Sequence, residues 1–178
     1  ISDFRGAQGR LEPVDAIARG GFKSTGFRVF IDYAHTDDAL ANVLGALRPL
    51  TRNRLIVVFG CGGDRDRTKR PRMGKVASRF ADYLVITSDN PRGEEPSSIA
   101  GEIRAGMDKR FKNFKILLDR SEAIRDAIGS AAAGDIVLIA GKGHERYQIV
   151  GDKVLPFSDK EAVEKILKIR NTNFENKI

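Results

Sequence analysis

The chain has 178 residues and a formal net charge of +7, with 31 Lys and Arg against 24 Asp and Glu. That length holds one full core and excludes several large domains. A single cysteine, Cys61, excludes an internal disulfide framework and agrees with a reducing, cytoplasmic setting, while two histidines, His35 and His144, are too few for an ordinary protein-only zinc site.

The chain opens at Ile1 without a charged segment and long apolar run, so the expectation is a piece of a longer soluble protein, with no signal peptide or membrane span. Residues 1–26, with five glycines and no sustained period, read as a linker or the end of a preceding domain. From there, short apolar runs at 27–33, 55–59, 83–87, 114–118 and 136–140 read as strands covered on both faces. Between the first two, Leu40, Val43, Leu44 and Leu47 recur at helical spacing, with Thr36 or Asp37 as cap and Pro49 as stop. Met73, Val76, Ala77 and Phe80 repeat that spacing with Pro71 in the first turn. Ile99, Ile103 and Met107 form a third helical pattern, and Ile124, Ala127, Ile128 and Ala131 a fourth. Runs at 147–150 and 153–157 flank Gly151-Asp152, a two-residue hairpin signal. Ser158 and Glu161 then make a capping box for a last helix carrying Val163, Ile166 and Leu167, and polar residues 171–178 read as a frayed tail. The alternation predicts an α/β fold over 27–170: a Rossmann-like, doubly wound, mostly parallel sheet with a C-terminal β-hairpin and helix.

A polar cluster follows each of the five strands: Ala34-His35-Thr36, then Gly60-Cys61-Gly62-Gly63-Asp64-Arg65-Asp66, Asp89-Asn90-Pro91-Arg92, Asp119-Arg120-Ser121 and Gly141-Lys142-Gly143-His144-Glu145. Ligands of open α/β sheets bind outside the carboxyl ends of the strands, so these clusters are expected on one rim. Its glycines allow close backbone approach, and Arg65, Arg92 and Lys142 bring positive charge suited to an anion. Turn chemistry accounts for Asp89, Asn90 and Pro91 but not for Arg92, which on bland grounds is a solvated surface residue, as is Arg65 beside Asp64 and Asp66. Three tempting motifs fail. Gly21-Phe22-Lys23-Ser24 lacks the strand and glycine of a phosphate loop, His144-Glu145 has Gln148 where a zinc helix needs its second His, and no Gly-x-Gly-x-x-Gly follows the first strand. The positive surplus suits anionic partners, yet no aromatic platform for stacking bases is visible.

Taken in order, these clusters, together with Asp32-Tyr33 and Lys69-Arg70-Pro71, resemble the C-terminal domain of the Mur ligases over roughly residues 6 to 169, and most closely the diaminopimelate-adding branch. The resemblance implies an ATP-dependent ligase of peptidoglycan precursor synthesis that joins an amino acid to a nucleotide-linked muramoyl peptide, UDP-MurNAc-L-Ala-D-Glu, through an acyl phosphate. It implies that ATP and magnesium are held chiefly by an absent central domain and that neither is bound by this part alone. Uridine recognition would lie in an absent N-terminal domain, and no nucleic acid or membrane is implied as a partner. Carried over by position, Arg65, Asp89, Asn90, Pro91, Arg92, Gly141 and Glu145 would hold meso-diaminopimelate, while Arg10, Tyr33 and His35 would touch ATP. No catalytic side chain or metal ligand is implied within the chain. Where many family members have proline after the threonine, this chain reads Thr36-Asp37-Asp38, and Asp37 is expected to cap the helix instead. Two alternatives stay open: a Mur ligase that adds lysine, and a non-catalytic basic α/β domain that binds anionic metabolites or nucleic acid.

Overall fold

In the computed structural model, residues 8–14 and 26–175 are described. Most of the expected linker and the whole Gly21-Phe22-Lys23-Ser24 stretch lie outside them, as do residues 176–178 of the expected tail. The elements run β1 (Glu12–Pro13), β2 (Arg28–Asp32), α1 (Asp37–Leu47), β3 (Leu55–Phe59), α2 (Lys69–Phe80), β4 (Tyr83–Ile86), α3 (Pro96–Ala105), β5 (Phe114–Ile116), α4 (Arg120–Ser130), β6 (Ile136–Ala140), β7 (Tyr147–Val150), β8 (Lys153–Pro156) and α5 (Asp159–Glu175).

The main sheet has the order β1-β2-β6-β3-β4-β5 and is parallel except where β1 pairs with β2. The continuous apolar runs behave as expected in the middle: β3, β4 and β6 are buried along their whole length. On one face Leu40, Leu44 and Leu47 of α1, Met73 and Ala77 of α2 and Ile99 and Ile103 of α3 pack together. On the other, Ile124 and Ile128 of α4 meet Val163 and Leu167 of α5. This is a doubly wound α/β sheet, and the Gly151-Asp152 signal closes the antiparallel pair β7–β8. Among the described residues no helix is long and apolar enough to cross a membrane.

Four readings need correction. The run at 114–118 is not covered on both faces: β5 is the sheet edge, half-buried to exposed, because only one neighbour flanks it. Glu12 and Pro13, read as linker, extend the sheet by pairing with Ile31 and Phe30. The α1 cap is Thr36 and not Asp37: its side chain accepts from the Ala39 N–H at 3.2 Å, while Asp37 lies inside the first turn and faces Arg72 at 3.1 Å. Lastly, α5 runs on to Glu175 into the stretch read as a frayed tail, since neither glycine nor proline interrupts it.

Candidate functional site

Because β2, β6, β3 and β4 are neighbours and parallel, the loops after them lie side by side at the carboxyl edge. The fourth polar cluster does not join them as a ligand surface. Asp119 caps α4 by accepting from Glu122 N–H, and Arg120 points into the interior. There its guanidinium meets Asp159 at 2.7 and 2.8 Å and donates to the carbonyls of Ala140 and Ser88. One buried cation thus ties the ends of β4 and β6 to the starts of α4 and α5. Burial works against its charge, but Asp159 outweighs it, and the pKa is raised.

Lys142 is likewise not a free positive charge. It is wholly buried, and its ammonium donates to Asn90 Oδ1 and Glu145 Oε2, both at 3.0 Å, and lies 3.3 Å from Asp89 Oδ1. Three donors meet three acceptors, which is what makes a buried ammonium tolerable. Asn90 Nδ2 completes the network by donating to Glu145 Oε2 at 3.1 Å. Among the described residues both bonds to Glu145 arrive at Oε2, so toward them Oε1 keeps its acceptor capacity. Gly141 has φ +115, and a Cβ there would sit 3.1 Å from Asp89 Oδ2, so the turn that presents Lys142 needs glycine. Asp89, Asn90, Pro91 and Gly141 are buried, whereas Arg92 and Glu145 are half-buried.

Arg92 comes to the same place from the other side. Its Nη1 donates to Gly63 O at 2.9 Å and to Asn90 O at 3.3 Å, which leaves the rest of the fork for a ligand. A Cβ built on Gly62 would lie 2.9 Å from Arg92 Nη1 and 3.7 Å from Arg65 Cγ, so the two arginines flank that glycine. Arg65 is exposed and donates to its neighbour's carbonyl, Asp64 O. The loop beneath them is braced by Arg70, fully buried, whose fork meets both oxygens of Glu94 at 2.7 and 2.8 Å. That guanidinium, with the Asp64 N–H, pulls the Glu94 carboxyl down to about 2.

The remaining predicted residues gather beyond β2. Tyr33 and His35 stack edge to face at 4.7 Å, and His144 lies 5.6 Å from Tyr33. Burial raises the Tyr33 pKa, and the charges of Glu145 and Asp89 add to it, so the aromatic group shares the rim with the acids. Arg10 is exposed at the same end, because its neighbour Leu11 donates to Asp32 Oδ2 at 2.6 Å. All the predicted site residues therefore lie along one edge. Cys61 offers no nucleophile: it is buried and its thiol is pushed up to about 12 by that burial. Among the described residues no three or more His, Cys, Asp or Glu side chains gather where they could hold a metal ion.

Sequence reasoning missed the supports: Arg120, Arg70, Lys142 as a hub, and Gln148, whose Nε2 donates to Asp89 O at 2.7 Å. Only a signal of charged residues inside otherwise apolar helical patterns, such as Arg120 before Ile124, pointed to any of them.

A family model described as Mur ligase, glutamate ligase domain, matches residues 9–143. A protein of Syntrophomonas wolfei named UDP-N-acetylmuramoyl-L-alanyl-D-glutamate–2,6-diaminopimelate ligase is 52% identical over 169 residues, which are 94% of this chain and 33% of that protein. A solved structure of an enzyme with that name matches 93% of this chain and 32% of its own at a TM-score of 0.83 and 41% identity. A UDP-N-acetylmuramate-alanine ligase from Thermotoga maritima, at 20% identity, 96% coverage of this chain and 31% of its own, and a TM-score of 0.59, shares the fold. The chain spans about a third of the length of the curated relatives it matches.

Proposed function

This chain belongs to the Mur ligase family, as its glutamate ligase domain, and from that premise we propose that it is the amino-acid-binding part of an ATP-dependent, cytoplasmic ligase that adds meso-diaminopimelate to UDP-MurNAc-L-Ala-D-Glu. The observation that carries the reading is that one residue, Asn90, joins the two charges: its main-chain carbonyl accepts from the Arg92 guanidinium and its side-chain amide donates to the Glu145 carboxylate. Diaminopimelate is lysine with a second carboxylate at the far end, so that end bears an anion and a cation on one carbon. The planar fork of Arg92, with Arg65 beside it, suits the carboxylate through parallel charge-assisted bonds. Glu145 suits the ammonium, and Gly141 admits the backbone of the rim to close range. Asp89 shares the Lys142 ammonium with Asn90 and Glu145, and Pro91, with its own φ fixed, stands between Asn90 and Arg92.

Arg10, Tyr33 and His35 would meet ATP from this side of the cleft, where an exposed guanidinium and an aromatic pair suit a polyanion with a planar base. Bound ATP supplies the activation of the acceptor carboxylate, and the described residues offer no magnesium cage of their own. What these residues contribute to the rate is placement. Holding the attacking amine still against an activated carboxylate is worth up to about 7–11 kcal/mol in well-oriented cases. No nucleophilic side chain is needed, because the substrate amine is the nucleophile.

Calorimetry on the full-length protein, titrating meso-diaminopimelate and lysine against wild type and Arg92→Ala, tests the reading. Diaminopimelate is expected to bind at least tenfold more tightly than lysine, and Arg92→Ala to erase most of that margin, as removal of a charge-assisted hydrogen bond worth about 1.5–3 kcal/mol would do. Equal binding of lysine, or an unchanged preference in the variant, would refute it.

A further inference from the structure

The antiparallel pair β7–β8 lies outside the main sheet, yet its first strand and turn are bonded to the loop 89–92 at four points. Gln148 Nε2 donates to Asp89 O at 2.7 Å, and Ile149 N–H donates to Asn90 Oδ1 at 3.0 Å. Arg92 N–H donates to Ile149 O at 3.1 Å, and Gly151 N–H to Arg92 O at 2.8 Å, so Arg92 and Val150 form an isolated parallel bridge. Arg92 needs that support. Its φ is +52, a left-handed conformation that a residue with a Cβ keeps only when its surroundings impose it. Pro91 fixes its own φ and cannot hold the next one.

We propose that β7 is a template that fixes the backbone of Arg92 and thereby sets the preference for an amino acid with a distal carboxylate, with Gln148 as a positioning residue. The proposal rests on the substrate reading above. Gln148 is the residue to test because, of the groups that β7 and its turn bring to the four links, it supplies the side chain, whereas Ile149 and Gly151 contribute backbone groups. The other side chain involved, Asn90, belongs to the candidate site itself. When the loop slips, Arg92 loses its aim at the distal carboxylate. Lysine has no such group, so its use does not depend on where the guanidinium points.

The test is steady-state kinetics of the full-length enzyme with meso-diaminopimelate and with lysine, for wild type, Gln148→Met and Gln148→Glu. Gln148→Glu keeps the length of the side chain but cannot donate. Both variants are expected to raise KM for diaminopimelate about 5–10-fold, the scale of one lost hydrogen bond, with kcat held within about twofold. Because kcat/KM for lysine stays put, the preference narrows by the same factor. Val154→Ser on β8, at a site that is 66% exposed, serves as the control and leaves both substrates unchanged. Parallel losses for both substrates, or no change for either, overturn the proposal alone and reduce Gln148 to a structural brace. A wild type with no preference for diaminopimelate overturns the substrate reading, and this proposal with it.

Discussion

Lys142 sits at zero exposure with Asp89, Asn90 and Glu145 around its ammonium, so its removal does more than cancel a charge. Lys142→Met leaves a buried carboxylate without its cation, and breaking one side of such a pair costs about 3–5 kcal/mol. Denaturant unfolding of Lys142→Met is expected to show a loss of that size, and a loss below about 1 kcal/mol, the range of exposed pairs, would contradict the hub. Glu94 yields a pH prediction. Its carboxyl is lowered from 4.5 to about 2 by the Arg70 hydrogen bond first and the Asp64 N–H second. A depressed carboxylate stabilises fully above its ordinary value, and that contribution disappears as pH falls through the folded one, here from 4.5 down to about 2. Glu94→Gln is therefore expected to flatten the fall in stability across that window, measured as the denaturation midpoint against pH; an unaltered slope would count against the pair. The candidate ligand residues were legible because they cluster at strand ends in motif order. Their supports were not: Lys142 finds Asp89 at a separation of 53 residues and Arg120 finds Asp159 at 39, and nothing local announces either partner.

Elements were legible where one periodicity ruled. The runs Leu55–Phe59 and Ile136–Ala140 form strands with the expected bounds because strands on both sides and helices on both faces reward a continuous apolar run. The same composition misleads at β5, where Ile116 is 37% exposed because a continuous run does not reveal whether a strand is central or at the edge. Capping shows a similar limit. Thr36 and Asp37 are both good N-caps, and only the backbone decides between them: Thr36 is extended, with φ −126 and ψ 160, while Asp37 is already helical. Thr36→Ala is expected to destabilise by about 1 kcal/mol and Asp37→Ala by less, since Asp37 adds only its charge near the helix start and an exposed pair with Arg72. The reverse ranking in thermal melts would restore Asp37 as the cap. The polar stretch after 170 reads as a tail by composition, yet α5 includes it through Glu175, with Arg170 bonded to Ile128 O and Ala131 O where α4 ends.

For the molecule as a whole, the two core clusters share one sheet, and the rim that carries Arg65, Asn90, Arg92 and Glu145 is built within this one chain. Folding and recognition of the amino acid can then be separated from turnover. The 178-residue chain is expected to fold alone and to be stabilised by meso-diaminopimelate. A ligand at about 100 times its Kd adds roughly 2.7 kcal/mol, which raises the melting temperature by several degrees for a domain of this size. Lysine at the same concentration adds little, because an arginine fork without its carboxylate gains nothing from it. The same sample is expected to show no ATP turnover and no ligation, since the chain covers about a third of its relatives and the described part of its rim carries no phosphate loop. These two outcomes are linked. A melting shift with diaminopimelate and no turnover fits a domain that positions the amine. Turnover by this chain alone would mean that activation also resides here, and equal shifts with both amino acids would mean that Arg92 does not read the distal carboxylate.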